Sequence, residues 1–286
     1  MEQFIHEEVH TESNINARFE IYESSNDFIP EHWHRSMEVV YIYDGDMDVT
    51  INHHKHRLTK GDFMVVNTAA IHATQTYDYA RVLLLQIPYR FLTHAIPEYD
   101  NIQFDLSLKP APQPEPNASQ SLCAVPADTL RRILTEMGQL YTEKPQEYSL
   151  RFSSLLYDFL YTLMVHYKVT VDNTAKVQSQ KNLDRLAPVI RYIKEHYTEL
   201  ITLEDAANLA ALNPEYFCRF FKRNMGTTFT AYVNSVRLTH VCYDLKNTDL
   251  NIGTILDRHG ITNYKLFMRN FKQIYGCTPK DFRKTL

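Results

Sequence analysis

Nothing in this sequence of 286 residues is apolar over the roughly 18–20 residues that a membrane-spanning helix requires, so no membrane partner is expected. Residues 1–8 (MEQFIHEE) are acidic and mixed, and read as neither a secretory nor a transit leader. Cysteine is scarce. Cys123, Cys218, Cys242 and Cys277 lie far apart without paired spacing, which excludes a zinc-finger framework or a disulfide scaffold and suits a reducing cytoplasm. No nucleophile triad and no phosphate loop is visible, so an enzyme is not expected. What the chain does have is apolar material, 44% hydrophobic with 19 Tyr and 15 Phe. That is too much aromatic surface to leave in water and enough for two ordinary domains.

The net charge of −4 speaks against a polyanion partner until it is divided along the chain. Residues 181–286 carry 16 Lys and Arg against 10 Asp and Glu, a net of +6; the remaining 14 against 24 give −10 for residues 1–180. A basic segment joined to an acidic one suggests two domains with different partners, DNA being the candidate for the basic one. A solvated charged face is the alternative.

The first hundred residues read as short strands. Residues 37–43 (MEVVYIY) are β-branched and aromatic and end at Asp44-Gly45, a hairpin signal, with 46–51 as the return strand. Turns at Asn52-His53 and Lys60-Gly61-Asp62 precede strands at 63–66 and 81–87. Strands spaced in this way suggest a β-barrel or sandwich. Residues 109–116 (KPAPQPEP) form a connector. Two helices follow: 129–141, with Leu130, Ile133, Leu134, Met137 and Leu140 on one stripe, and 148–167, with Phe152, Leu155, Leu156, Phe159, Leu160, Leu163 and Met164. Each stripe is either core or a dimer interface. Residues 169–182 are polar and aperiodic, which predicts a linker.

Near the end the sequence repeats itself. Residues 217–226 (FCRFFKRNMG) and 267–276 (FMRNFKQIYG) both fit F-x-R-x-F-K-x-x-x-G at an offset of 50, and Thr228 pairs with Thr278 and Tyr232 with Phe282. Each copy has the parts of a helix-turn-helix. In the first, Thr202 caps a helix over 203–210, and Asn213-Pro214 starts a second running to about 223. It buries Phe217, Phe220 and Phe221 and presents Glu215, Cys218, Arg219 and Lys222. In the second, a helix over 252–258 ends near Gly260. Another starts near Thr262, presenting Tyr264, Lys265, Met268 and Arg269 with Leu266, Phe267 and Phe271 inward. A helix over 229–246 joins the units. Outward-facing arginines can pair bidentately with guanine in a major groove, while Lys222 and Lys272 can neutralise phosphates. Two reading helices would reach successive grooves roughly 34 Å apart. A plain helical bundle is the bland alternative, and it explains neither the repeat nor the charge reversal.

Residues 185–286 resemble the DNA-binding domain of the AraC-type family of bacterial transcription regulators. The likeness runs through 190–197, Leu203-Glu204-Asp205-Ala206-Ala207, 216–222, Arg237-Leu238, Gly260, 267–276, Thr278-Pro279 and Phe282-Arg283. It implies two helix-turn-helix units on adjacent major grooves, usually activating transcription. It puts base contacts on Glu215, Cys218 and Arg219, and on Tyr264, Lys265, Met268 and Arg269. Ala211, Leu256 and Ile261 depart from the usual Gly, Ala and Phe.

In strand geometry His32, His34, Glu38, Val40 and Ile42 share one parity and point into the barrel together. The run His32-x-His34-x3-Glu38-x6-Gly45, followed by Gly61 and His72, resembles the two cupin motifs, the second degraded at Asn67 and Ala69. In metal-binding cupins those four side chains coordinate a divalent ion, and imidazole with carboxylate suits Fe, Mn, Ni or Zn. Three readings are open: a metal-dependent enzyme, a structural or sensing metal, and a metal-free effector pocket. The last is the leading expectation, with no cofactor and with His32, His34, Glu38, Val40, Ile42 and His72 around a small metabolite. Trp33, Tyr41 and Tyr43 are candidate stacking groups for a sugar, although their opposite parity also suits packing under the helices. His53, His54 and His56 sit at a hairpin tip and read as solvated.

The expectation is therefore an α+β chain with a cupin-like β-barrel and accessory helices at 1–168, a linker at 169–182 and an all-α double helix-turn-helix domain at 183–286. Its function would be that of a cytoplasmic, metabolite-responsive transcription activator. Its partners would be double-stranded DNA, a second copy of itself and RNA polymerase.

Overall fold

The computed structural model of the chain describes residues 12, 14–52, 54–107 and 126–284. The acidic stretch at 1–8, the connector at 109–116, His53 and Cys123 lie outside them. Strands β1 (Arg18–Ser24), β2 (Asp27–His32), β3 (Met37–Ile51), β4 (His54–Thr59), β5 (Phe63–Val66), β6 (His72–Thr76) and β7 (Ala80–Ile87) come first. Helix α1 (Tyr89–Ala95), strand β8 (Ile102–Phe104), helices α2 (Pro126–Glu143) and α3 (Tyr148–His166) and strand β9 (Lys168–Thr170) follow. The rest is helical: α4 (Asn173–His196), α5 (Leu203–Leu209), α6 (Pro214–Met225), α7 (Phe229–Asn247), α8 (Ile252–Arg258), α9 (Tyr264–Tyr275) and α10 (Pro279–Lys284). No helix among the described residues is long and apolar enough to cross a membrane.

The spine of the sheet is β3. Its first half pairs with β5 and β7, its second with β4 and β6, and β1 and β2 complete the order β1-β7-β3-β6-β2. One strand serving both halves folds the sheet over on itself. The hairpin expected at Asp44-Gly45 is instead a bulge in this continuous strand, with the register to β7 shifting between Ile42 and Asp44. A bulge and a tight turn both need positive φ, and Gly45 has φ +74°. Gly45 supplies the positive φ that suggested a turn, but partners on both flanks keep the chain going forward. A Cβ there would also meet the Tyr79 carbonyl oxygen at 2.1 Å.

The outer face of the β1, β3 and β7 half, with Phe19, Met37, Val39, Leu83 and Leu85, packs on α2 and α3. Phe152, Leu155, Leu156, Phe159, Leu160 and Leu163 of the α3 stripe are all buried there, so the stripe is core. Each such side chain contributes about 1.5–3 kcal/mol by leaving water. Tyr41 and Tyr43 join the same layer, where Tyr43 meets Gly138 of α2. They face away from the barrel interior, and the expected stacking role does not hold. Trp33 likewise points out of the sensor, into the core of the helical domain.

The linker expected at 169–182 is regular structure. Val169 pairs with Gln103 in the β8–β9 ladder, Asp172 caps α4 through the Thr174 amide, and the helix runs unbroken to His196. Its polar first turns looked aperiodic because their core-facing residues start only at Leu183, followed by Leu186, Val189, Ile190 and Ile193. Pairs such as Gln178 with Asn182 and Gln180 with Asp184 line the exposed face before that.

The repeated motif is a set of helix ends. Asn213 and Asn263 cap α6 and α9 through the amides of Tyr216 and Leu266. The second of these helices thus begins at Tyr264, two residues beyond the expected start. Gly226 and Gly276 close the two helices in the left-handed conformation at φ +73° and +72°, and Thr228 and Thr278 cap the next helices. Two separate cores result, one around Phe217, Phe221 and Tyr232, the other around Phe267, Phe271 and Phe282.

Helix α7 and a polar joint lock the two units together. The Arg237 guanidinium donates to the carbonyls of Tyr197 and Glu199 at 2.7 and 2.6 Å. Asp244 accepts from Arg258 and from the His259 ring, both at 3.0 Å, and Tyr197 stacks on His240. Gly260 lies against Thr198 of the first unit, so the turn of the second helix-turn-helix is pressed onto its neighbour.

Candidate metal centre and nucleic-acid interface

His32 ends β2, His34 lies in the loop before β3, Glu38 is the second residue of β3, and His72 opens β6 opposite His32. All four are buried, and one ligand atom from each lies within 4.8 Å of the others. Strand parity grouped His32, His34 and Glu38 although the strand it assumed is interrupted at residues 33–36, and His72 was added by the likeness to the cupin motifs.

Three backbone carbonyls set the tautomers. Nδ1–H of His32 donates to Pro30 at 2.9 Å, that of His34 to Ser36 at 2.9 Å, and that of His72 to Ala70 at 3.0 Å. A carbonyl only accepts, so each Nδ1 carries the proton and a neutral ring turns a bare Nε2 inward. His34 Nε2 nevertheless stands 2.9 Å from Glu38 Oε2. A lone pair facing a carboxylate at that distance needs positive charge between them, from a proton or a metal ion. His72 Nε2 is 3.5 Å from Glu38 Oε1 and is buried without a hydrogen-bond partner among the described residues.

Burial alone would raise the Glu38 carboxyl, but the charge of His72 and the hydrogen bond from His34 hold it well below its ordinary value. Burial pushes His32 down, reinforced by the His72 charge, while the Glu38 charge outweighs burial at His72 and raises it. The Gln86 amide donates to Glu38 Oε2 at 2.9 Å and orients the carboxylate. Sequence reasoning passed over Gln86; the clue was a single amide inside the apolar run of β7.

Imidazole and carboxylate donors with outward Nδ1–H groups tied to carbonyls are the arrangement that holds a transition metal. Atoms bound at about 2.1 Å to one centre lie at most about 4.2 Å apart, so these donors need to close by about half an ångström. The residues fit an ion. Val40 and Ile42, expected around an effector, pack with Met47, Val49, Leu58, Ala80 and Val82 in an apolar cluster. His54 and His56 are exposed.

On the helical domain, Glu215, Cys218, Arg219 and Lys222 of α6 and Tyr264, Lys265, Arg269 and Lys272 of α9 are all exposed. Met268 is the exception. It is half-buried against the core of the second unit, because one turn from Tyr264 the helix rotates it toward Phe267 and Phe271. Tyr216, 46% exposed, lies beside Glu215 on α6 and was not among the side chains expected to contact DNA.

Residues 19–85 match the cupin domain family and residues 206–285 a helix-turn-helix domain family. The chain is 24% identical over 269 residues to the uncharacterized HTH-type transcriptional regulator YdeC of Bacillus subtilis (strain 168), spanning 92% of this chain and 89% of that one. It is also 24% identical over 268 residues to the melibiose operon regulatory protein of Escherichia coli (strain K12), spanning 88% and 83%. Among solved structures, the C-terminal domain of AraT, a response regulator from Geobacillus stearothermophilus, is 30% identical. That match spans 36% of this chain and 88% of that one, with a TM-score of 0.32.

Proposed function

We propose that the chain, with a cupin domain ahead of two helix-turn-helix units, is an AraC-type transcription regulator that reads a specific operator while its sensor holds a divalent transition-metal ion. The observation that carries the sensor reading is a buried carboxylate with the Nε2 atoms of His34 and His72 at 2.9 and 3.5 Å and a donor atom of His32 within 4.8 Å, each ring tied through Nδ1–H to a carbonyl. His32, His34, Glu38 and His72 would hold the ion. Once bound, it supplies the positive charge that the His34–Glu38 approach lacks. Elemental analysis of the purified chain, expected to give about one Fe, Mn, Ni or Zn per chain, tests this. Metal-free protein that takes up none of the four would overturn it.

A carbohydrate effector draws its support from the melibiose regulator, and its stacking groups Trp33, Tyr41 and Tyr43 are packed elsewhere. The ion is the better reading of the site. Activation through RNA polymerase in the cytoplasm follows from family likeness alone. Regulation rather than catalysis is the role that the relatives support.

Arg219 and Arg269, exposed at equivalent positions of the two copies, are the base-reading side chains. Either one changed to Ala is expected to cost about 1–3 kcal/mol of operator affinity and to relax preference at one base position. Lys272→Ala should weaken all sequences evenly and reduce the salt slope by about one. Selection from a random-sequence pool followed by titration separates the two behaviours. If Arg269→Ala binds the selected duplex unchanged, α9 is not the reading helix.

A homodimer would use α3. Leu150 and Tyr161, 69% and 70% exposed, lie with Tyr157 and Val165 on one stripe opposite its buried face. Tyr161→Glu is expected to shift the sedimentation of the chain from dimer to monomer, and an unchanged dimer would move the interface elsewhere.

A further inference from the structure

One pair of strands touches both helix-turn-helix units. β2 and β6 are antiparallel, with His32 opposite His72 at one end and Asp27 opposite Thr76 at the other. At the histidine end, the residues adjoining the candidate ligands are seated in the helical domain. Trp33, between His32 and His34, is 1% exposed and belongs to the core built by Leu183, Leu186, Ile190 and Phe217. Ile71, before His72, packs on the same core. Arg35, after His34, pairs with Asp184 of α4 at 2.8 Å. At the far end, Lys246 of α7 reaches the Ser25 carbonyl and the Asp27 carboxylate, and the Gln75 amide donates to the Ile274 carbonyl on α9. The strand pair lies along α7 as a splint with one end on each unit.

The reading faces are left free by this docking. Thr239 and Lys246 turn one face of α7 to the sensor, while Glu215, Arg219, Tyr264 and Arg269 are exposed. Among the described residues, the sensor leaves these faces uncovered. It can still set how the two units are held.

We propose that Trp33 transmits occupancy of the histidine–carboxylate cluster to the DNA-binding domain, so that ion and operator bind with a shared coupling factor. This rests on the metal reading of the cluster. Closing four donor atoms onto one centre draws β2, β3, β6 and the loop carrying His34 toward one another. Trp33 shares its backbone with both ligands, one on either side, so a shift at His32 and His34 moves it in the helical core. That core is close-packed and passes the displacement on instead of absorbing it. By linkage, operator binding must change ion affinity by the same factor.

Trp33 is the only tryptophan of the chain, so its emission reports this junction directly. The test uses the full chain, stripped with a chelator and reloaded with zinc, a closed-shell ion, and titrated with the duplex it selects from a random pool. In the parent, zinc is expected to shift the Trp33 emission and to change the duplex Kd by about tenfold. Trp33→Phe is expected to load one zinc per chain as the parent does, while its Kd ratio falls below about threefold. A parent that loads zinc with emission and Kd unchanged overturns the coupling and leaves the metal reading standing. So does a Trp33→Phe variant that keeps the tenfold response. A parent that takes up no metal overturns the metal reading itself. The emission measurement needs no substitution, so the proposal stays testable if Trp33→Phe fails to fold.

Discussion

If the histidine–carboxylate cluster holds a divalent ion as proposed, Glu38→Gln is expected to lower its affinity by about 100-fold or more, close to 2.8 kcal/mol, with little change in volume. The substitution removes the one negative charge toward which His34 and His72 point. It keeps a group of the same shape for the Gln86 amide to meet. His34→Ala should match it by deleting a donor outright, and His54→Ala, on an exposed side chain of the β4 hairpin, should do nothing. The readout is metal retained per chain after dialysis against a weak chelator. If Glu38→Gln retains its ion as the parent does, Glu38 is not a ligand and the cluster must be a hydrogen-bonded network of imidazoles. Outer groups such as Gln86, which orient a ligand without touching the ion, are expected to cost about 10–100-fold.

Gly260→Ala should destabilise the DNA-binding domain by on the order of 3 kcal/mol, whereas Gly276→Ala should cost about 1 kcal/mol. The two glycines have nearly the same backbone, φ +65° and +72°, so the conformational cost of a side chain is nearly the same at both. Their surroundings differ. A Cβ at Gly276 meets nothing within 4 Å, while at Gly260 it would sit 2.2 Å from the Thr198 carbonyl oxygen and 2.8 Å from its carbon. Backbone cannot step aside as a flexible side chain can, so the turn must lift off the first unit. Equilibrium unfolding of the two variants isolates that clash. Equal losses would mean that the two units do not press on one another at this point. The first unit makes the comparable turn with Ala211 at φ +51°, a strain that Gly would relieve.

Much of the helical domain could be read before any coordinates. The repeat at an offset of 50 is a record of the same helix ends used twice: an Asn cap, two buried Phe, a left-handed Gly and a Thr cap. Each of those residues acts within a turn or two of itself, and local chemistry of that kind is written in local order. The reading failed where a residue depends on distant partners. Asp44-Gly45 carries the pattern of a hairpin, and only the strands on either side of β3 make it a bulge. Residues 173–182 lack apolar periodicity because their helix is carried by the core packing of Leu183–Ile193 downstream. Met268 shows the same limit on a smaller scale, since a helical wheel drawn in isolation puts it outside.

For the site itself, the residue types His32, His34, Glu38 and His72 and their spacing were enough to group them, since alternation along a strand and the cupin-like order both act over a few positions. Sequence order could not give the tautomers, because these depend on which carbonyls of the folded backbone come within about 3 Å of each Nδ1. Nor could it reveal that Trp33 leaves the sensor to fill the core of another domain. Parity says on which side of a strand a ring lies, and a long-range packing choice between domains says what it meets there.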